Sequence, residues 1–298
     1  MNPMPMSAAE LGIDFQLFRT VCAFASGKGG VGKTTLTGNS AVKTAAQGVP
    51  TLGIDINGQG NLRRELGYDI GDQGAGFLDS MKNGTPLVPI KNVRPNLDVV
   101  VGGPKTRELS QLFMVLAQEQ GPYAAFLRLA QCLQPLLKDY RVTFIDAPPE
   151  NPNLLMMCLC AARWLIAPVK CDVCSLEDAL TDIANAFKAA RQVNPLLELL
   201  GVVHFGSPNG ATGIHDEVVE ETRKHLGAHA HVFDSAIHLS VKTAKRCRER
   251  GLSARELADA KLPNDRDLGA ASLALAEAHD KLTVEIMRRM KMRLEQAA

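Results

Sequence analysis

The chain has 298 residues, of which 46% are hydrophobic and 22% charged, a composition that suits a globular protein with one large buried core. Its formal net charge of +1 excludes a general attraction to nucleic acid or to membranes, so any such partner must be recognised by a local patch. The 7 cysteines, an odd number, argue against a disulfide framework and favour a reducing cytoplasm.

Short aliphatic or β-branched runs alternate along the chain with longer helical patterns. Most of these runs are apolar on both faces, as strands are when helices cover both sides of a sheet. The predicted strands are residues 20–26, 51–56, 97–103, 142–147, 164–169, 199–205 and, more weakly, 231–234. The predicted helices are residues 33–47, 107–138 with a break at Gly121 and Pro122, 175–193, 214–226, and two C-terminal stretches that begin near 241 and 268.

This repeated order of strand and helix predicts an α/β fold in which a mostly parallel sheet is flanked by helices on both faces. We expect residues 1–19 to form an N-terminal arm and residues 20–298 to form a single domain. Residues 57–96, which are rich in Gly and Pro, are expected to form an insertion in that domain.

The first predicted strand leads into "SGKGGVGKTT", residues 26–35. Gly27-x4-Gly32-Lys33-Thr34 fits the P-loop pattern, and it lies between a predicted strand and a predicted helix as that motif requires. Successive backbone N–H groups of such a loop face phosphate oxygens, Lys33 is expected to reach the β- and γ-phosphates, and Thr34 is expected to ligate Mg²⁺. We therefore predict a nucleotide site formed by Gly27, Lys28, Gly29, Gly30, Val31, Gly32, Lys33, Thr34 and Thr35.

A P-loop of this kind needs an acid at the end of a neighbouring strand. The run "VTFIDAPPE" supplies one, because its apolar strand ends at Asp146 and is followed by two prolines that stiffen the loop. We predict that Asp146 holds the Mg²⁺, either directly or through a water molecule.

Four segments carry a resemblance to a known family, in this order along the chain: "KGGVGKTT", "IDINGQGNL", "IDAPPE" and "WLIAPVKCDVCSLEDAL". The chain resembles the ParA/MinD family of deviant Walker-A ATPases, and within it most closely the ParA branch. The resemblance extends over residues 20–290 and implies ATP as the nucleotide and an ATP-dependent homodimer. It also implies that Lys28, the additional lysine of the loop, reaches the phosphates bound to the partner subunit. The alternative is that Lys28 is a solvated loop lysine.

The switch segment after the second predicted strand departs from the family pattern. Asp55 keeps the first carboxylate, but Asn57 and Gly58 stand where the family has a second Asp and a Pro. An amide can orient water, but it cannot accept a proton. We predict slow ATP hydrolysis that a partner would stimulate. The predicted catalytic residues are Lys28, Lys33, Asp55, Asn57 and Asp146. The alternative is that Asn57-Gly58 simply shapes a turn.

A basic stretch, "VKTAKRCRERGLSAR", covers residues 241–255. The family resemblance implies that this region, together with Arg223 before it, binds DNA without sequence preference in the dimer. The alternative is a solvated helix face. The predicted DNA contacts are Arg223, Lys242, Lys245, Arg246, Arg248 and Arg250.

No membrane segment is expected. The amino terminus lacks the pattern of a secretory signal, and the longest apolar run, residues 154–169, is too short for a membrane span. The C-terminal tail is basic and rich in methionine but has no aromatic residue, which favours a packed helix over a membrane anchor. The "CDVC" of residues 171–174 has redox or zinc spacing, but without a second pair we interpret these cysteines as ordinary small residues.

These observations lead to a hypothesis of a cytoplasmic, nucleoid-associated, ParA-like switch that partitions or positions a plasmid, a chromosome or a protein cargo. Its expected cofactors are ATP and Mg²⁺, and its expected partners are a second copy of the chain, non-specific DNA and a ParB-like or other cargo adaptor. Two alternatives stay open: a MinD-like membrane-associated regulator, and a nucleotide-binding scaffold with negligible hydrolysis.

Overall fold

The computed structural model describes residues 7–149, 151–170, 173–207, 212–238, 240–260 and 269–297. Within these ranges, 8 strands form one sheet: β1 (Val21–Phe24), β2 (Thr51–Asp55), β3 (Ile90–Arg94), β4 (Leu97–Val100), β5 (Val142–Asp146), β6 (Trp164–Val169), β7 (Glu198–Ser207) and β8 (Ile237–His238). Their order is β3-β4-β2-β5-β1-β6-β7-β8. The edge pair β3 and β4 is antiparallel and the other pairings are parallel, which confirms the predicted mostly parallel sheet.

The described helices follow the strands in alternation. They are α1 (Lys33–Ala46), α2 (Leu62–Leu66), α3 (Ala75–Asn83), α4 (Leu109–Gln120), α5 (Pro122–Leu133), α6 (Pro152–Cys160), α7 (Val173–Val193), α8 (Thr212–Leu226), α9 (Val241–Arg250), α10 (Ala254–Ala260) and α11 (Gly269–Gln296). Short 3-10 helices cover Phe15–Phe18, Pro104–Glu108 and Gln134–Leu136.

Two hydrophobic cores lie on the two faces of the sheet, because alternate residues of a strand point in opposite directions. Val21 and Ala23 of β1 belong to a core that includes residues of α5 and α6. Cys22 and Phe24 of the same strand belong to a second core that includes residues of α1 and α11. Helices therefore cover both faces, as the apolar strands predicted.

The segment before β1 packs against the first of these cores. Ile13 and Phe18 are buried members of it. The indole N–H of Trp164, on β6, donates a hydrogen bond to the carbonyl of Arg19 at 2.7 Å. The guanidinium of Arg163 lies over the same indole, 4.6 Å from its ring centre. The entry into β1 is thus tied to the middle of the sheet.

Residues 57–96, expected to be an insertion, contribute α2, α3 and the edge strand β3. The break expected in the helical stretch 107–138 is confirmed, since α4 ends before Gly121 and α5 begins at Pro122. The weak strand prediction at 231–234 was wrong. That segment makes only an isolated bridge, between Val202 and Val232, and the edge strand follows later as β8.

A helix that the sequence did not predict, α6, begins two residues before the apolar run 154–169 and extends into it. The side chain of Asn151 accepts a hydrogen bond from the backbone N–H of Leu154, and Pro152 occupies the first helical position, so α6 has a regular start. Because α6 is buried, apolar side chains lie on all of its sides. Its sequence therefore lacks the alternation of apolar and polar residues that marks a helix with one exposed face.

The C-terminal helix α11 is packed as expected. Leu282, Ile286 and Met290 are buried in the second core, and the Nε of Arg289 donates to the carbonyl of Leu200 at 2.7 Å. No helix among the described residues has the length and apolar character needed to cross a membrane.

The cysteine side chains that the structure describes are buried free thiols. They belong to Cys22, Cys132, Cys158, Cys160 and Cys247. Of the "CDVC" pair, Cys171 and the side chain of Cys174 lie outside the described residues.

Candidate nucleotide site

A cleft of about 730 Å³ opens at the carboxyl ends of the central strands. Parallel strands bring the loops that follow them to one edge of the sheet, where ligands of open α/β folds bind. The lining residues come from the P-loop with the start of α1, the loop after β2, α2, the 3-10 helix after β4, α4, the loop after β5, α6, β7 and α9.

The P-loop conformation depends on glycine at its last turn before α1. Gly32 has φ of 85°, a left-handed conformation that other residues adopt only at a cost. A Cβ at Gly32 would also overlap the ring of Phe205, which packs against the loop from β7. The path of the loop is therefore fixed by backbone conformation and by one aromatic contact.

Lys33 lies inside the loop, with 6% of its surface exposed. Its ammonium donates to the carbonyl of Ser26 at 3.2 Å and to the carbonyl of Lys28 at 2.7 Å. These contacts hold a positive charge within the turn where the backbone N–H groups would receive phosphate.

The acids at the ends of β2 and β5 are neighbours, because Asp55 and Asp146 are paired in register. Both are buried. Burial raises the pKa of both carboxyls above their usual range, and for Asp146 the adjacent Asp55 raises the pKa further. The hydroxyl of Thr34 donates to Oδ2 of Asp146 at 2.7 Å. These two oxygens are of the kind that Mg²⁺ prefers, so the residues present fit the ion that we expect.

Asp55 shapes the loop that follows it. Its Oδ1 accepts a hydrogen bond from the backbone N–H of Asn57 at 2.9 Å, and its Oδ2 accepts one from that of Leu62 at 3.1 Å, at the start of α2. Both carboxylate oxygens are thereby engaged with backbone groups. The structure gives Asp55 a positioning contact, and its catalytic role stays a prediction.

Asn57 is half-buried and lines the cleft. Its side-chain oxygen accepts the backbone N–H of Gln59 at 3.0 Å, which closes a local turn. The two interpretations of Asn57, as a turn residue and as a site residue, are therefore compatible.

Lys28 points away from the cleft of its own chain. Its ammonium lies 3.7 Å from Oδ2 of Asp178 on α7, with 39% of the lysine side chain exposed. Its backbone does take part in the P-loop: the carbonyl accepts from Lys33, and the N–H donates to the hydroxyl of Ser26 at 3.4 Å. The cation of Lys28 is thus outside the phosphate cradle.

The predicted DNA contacts fall into two groups. Arg223 on α8 and Lys242, Lys245 and Arg250 on α9 are exposed, and Lys245 and Arg246 lie 3.7 and 3.2 Å from Glu249 of their own helix. Arg248 instead lines the cleft, with its Nε 3.6 Å from Oε1 of Glu65.

Several cleft residues had no sequence signal. Glu65 on α2 is buried and accepts a hydrogen bond from the hydroxyl of Thr35 at 2.9 Å. Arg64, Arg107 and Phe205 line the cleft from α2, the 3-10 helix after β4 and β7. The sequence predicts that residues after the carboxyl ends of β4 and β7 lie near the cleft, but it does not indicate which side chains face it.

A second charged group lies on α7 and α8. Glu177, Glu221 and His225 offer ligand atoms within 4.8 Å of one another. The ammonium of Lys224 lies 2.9 Å from Glu177 and 3.2 Å from Glu221, so both carboxylates already have a cation beside them. The group links the two helices.

The comparison with known proteins decides the family. A model described as "AAA domain" matches residues 19–199. The chromosome partitioning protein ParA of Caulobacter vibrioides is 30% identical over 230 residues, which are 76% of this chain and 82% of that protein. The chain belongs to the ParA/MinD family of P-loop ATPases. The resemblance read from "KGGVGKTT" and the later motifs is thereby confirmed.

Solved structures share the ParA/MinD fold with the chain. The ATP complex of a McdA variant from Cyanothece superposes with a TM-score of 0.69 at 18% identity, over 87% of this chain and 95% of the variant. Cobyrinic acid a,c-diamide synthase from Mycobacterium smegmatis, with bound ADP and magnesium, gives a TM-score of 0.64 at 22% identity, over 78% of this chain and 92% of the synthase.

Proposed function

We propose that the chain is a ParA-like ATPase that binds ATP and Mg²⁺, dimerises with ATP, holds DNA without sequence preference and positions a cargo through an adaptor protein. The observation that carries the proposal is the contact between Thr34 and Asp146, 2.7 Å apart beside the ammonium of a complete P-loop. Partition by the Caulobacter relative, and the nucleotides bound in the two solved structures, support the same activity.

The site residues have separate tasks in this proposal. Lys33 and the loop N–H groups bind the phosphates, while Thr34 and Asp146 would hold the Mg²⁺, which supplies positive charge beside them when bound. Asp55 keeps the switch loop in place through its two backbone contacts. Asn57 orients the water that attacks the terminal phosphate.

Slow hydrolysis follows from the lack of a proton acceptor. Of the described residues that line the cleft, Glu65 alone is an acid, and its carboxylate is engaged with Thr35 and Arg248. Asp55 is likewise engaged by two N–H groups. A proton leaving the attacking water therefore has no free carboxylate to receive it, which also favours the second candidate, a nucleotide-binding scaffold.

Exposed cationic side chains support the proposed dimerisation and DNA binding. Lys28, whose ammonium lies outside its own phosphate cradle, is available to the nucleotide of a partner subunit. Exposed residues of α9 and Arg223 of α8 supply local positive charge on a chain that is nearly neutral overall. Two copies would double these contacts and strengthen binding to DNA. Such a protein would work in the cytoplasm, on the nucleoid.

The test is a DNA mobility shift with ATP, with ADP and without nucleotide, over a series of salt concentrations. We expect binding with ATP that weakens steeply as salt rises, because phosphate contacts release counterions. Lys33→Ala should abolish nucleotide binding, whereas Lys28→Ala should bind ATP but fail to dimerise, as measured by light scattering.

Each rival has its own outcome. ATP binding without measurable turnover or DNA binding would leave the scaffold, and ATP-dependent sedimentation with liposomes would favour the membrane-associated regulator. Equal DNA binding by the nucleotide-free monomer would contradict the switch.

A further inference from the structure

Arg248 differs from the exposed basic residues of α9 in what it faces. Lys242, Lys245 and Arg248 are all exposed, but of these three Arg248 alone also lines the same cleft as Thr34 and Thr35. We propose that Arg248 is a nucleotide ligand that supplies a guanidinium to the α-phosphate of bound ATP or ADP, and that Glu65 is its positioning residue. The proposal rests on the nucleotide binding proposed above and assigns a further residue to that site.

The location along the phosphate chain follows from Thr35. Lys33 and Thr34 serve the β- and γ-phosphates and the metal, while the start of the helix receives the phosphates nearer the nucleoside. The hydroxyl of Thr35 is the next donor along that helix, and it contacts Oε1 of Glu65 at 2.9 Å. Arg248 approaches the same oxygen atom, at 3.6 Å, so its guanidinium and the hydroxyl of Thr35 share one carboxylate oxygen.

Glu65 has the surroundings of a residue that holds another in place. Its side chain is 5% exposed, whereas that of Arg248 is 52% exposed. Burial raises the pKa of Glu65, and the hydrogen bond from Thr35 and the charge of Arg248 oppose that rise. A guanidinium has five N–H donors, so contact through Nε leaves others for a phosphate oxygen.

The backbone fixes the distance between the two residues. Gly67 and Gly251 directly follow α2 and α9, have φ of 69° and 61°, and lie against each other. A Cβ on Gly67 would stand 2.9 Å from the carbonyl oxygen of Gly251, so only glycine allows this approach. The start of α10, which follows α9 in the chain, is bound to α1, because the N–H of Ala254 donates to the side-chain oxygen of Asn39 at 2.9 Å. Arg248 is thus held to the P-loop helix.

The experiment measures the affinity of fluorescent ADP and of DNA for the same variants. Arg248→Ala should weaken ADP about tenfold, the effect of one charge-assisted hydrogen bond, and should weaken ATP equally because both carry an α-phosphate. Arg63→Ala, an exposed arginine of α2 outside the cleft lining, is the matched control and should leave ADP affinity within about twofold. At saturating ATP, Arg248→Ala should retain wild-type DNA affinity and salt dependence, unlike Lys245→Ala.

The positioning role of Glu65 has its own readout. Glu65→Gln keeps an oxygen for Thr35 but removes the charge that faces Arg248, so it should weaken ADP several-fold. Combined with Arg248→Ala it should add nothing further, whereas a merely structural role would give additive losses.

The outcomes separate this inference from the proposed function. Wild-type protein that binds no ADP would overturn the proposed function. Wild-type protein that binds ADP while Arg248→Ala binds it equally well would overturn this inference alone. Loss of DNA affinity at saturating ATP with unchanged ADP affinity would make Arg248 a DNA contact and would also overturn it.

Discussion

The floor of the cleft and the outer face of α9 both carry many charges, in opposite surroundings. Lys33, which lines the cleft, and Asp55 and Asp146, which lie at the adjoining strand ends, are buried and held by backbone groups or by a neighbouring hydroxyl. On α9, Lys245 and Arg246 lie 3.7 and 3.2 Å from Glu249 of their own helix, in a pairing that water reaches. Exposed pairs of this kind contribute little, because water screens them and their side chains lose entropy. Cleft substitutions should therefore have large specific effects, and substitutions on the outer face of α9 should have small and additive ones.

The largest effect is expected from Gly32→Ala. The new methyl group would overlap the ring of Phe205 and force the loop out of its left-handed turn. We expect nucleotide affinity to fall more than about 100-fold, measured by fluorescent ADP binding, since the loop and Lys33 are displaced together. The matched control is Gly48→Ala, where φ is 78° but no atom lies within 4 Å. It should cost about 1 kcal/mol of stability and leave ADP affinity unchanged.

Asp146→Asn should have opposite effects on stability and on binding. It removes one of two adjacent buried carboxylates, so the nucleotide-free protein should gain about 1 kcal/mol in its free energy of unfolding. Loss of the predicted metal ligand should weaken Mg²⁺-nucleotide about 10–100-fold. Urea unfolding measures the change in stability, and ADP titration with and without Mg²⁺ measures the change in nucleotide affinity.

Asp98→Asn provides the contrasting case. That carboxylate lies 2.9 Å from the ammonium of Lys91 and accepts from the hydroxyl of Tyr140 at 2.6 Å, so its removal should destabilise the protein. If Asp146→Asn also destabilised the protein, the view that Asp55 and Asp146 repel each other would be wrong.

A gain of activity is expected from Asn57→Asp. The carboxylate would keep the contact with the N–H of Gln59 and would add the missing proton acceptor beside the phosphates. Phosphate release should rise at least about tenfold. Gln118→Glu adds the same charge at an exposed position of α4 outside the cleft lining and should not raise the rate. An unchanged rate for Asn57→Asp would mean that another feature limits hydrolysis.

The smallest effects are expected on α9. Lys242→Ala and Lys245→Ala should each weaken DNA binding about two- to threefold and lower the salt slope by about 1. Stability should stay within about 0.5 kcal/mol of the wild type, because both side chains are exposed. A tenfold loss from one of these changes would show that the surface is more ordered than the comparison suggests.

The sequence predicted the sheet and the P-loop because both depend on local patterns. Strands such as β5 and β6 are apolar on both faces, and the glycines, Lys33 and Thr34 have fixed spacing. The helix α6 was missed because its apolar residues surround it, although Asn151 and Pro152 mark its start. The helix-capping residue Asn151 and the following Pro152 indicated this helix better than the periodicity of its apolar residues did.

Contacts between distant segments could not be read from the sequence. Arg248 was grouped with its neighbours on α9 because a basic run indicates charge but not direction. Its approach to Glu65 depends on the close packing of Gly67 and Gly251, which are far apart in the chain. For the same reason, nothing in "NGQGNLRREL" distinguished the buried Glu65 from the exposed residues beside it.

Trp164 is the single tryptophan of the chain, it is fully buried in β6, and its indole N–H is bonded to the carbonyl of Arg19. It does not belong to the residues that line the cleft. Its fluorescence should therefore be blue-shifted in the native state and should report the unfolding of the sheet centre, with little response to bound nucleotide. The protein carries its own optical probe of global stability, and a second tryptophan at the cleft would be needed to follow ligand binding separately.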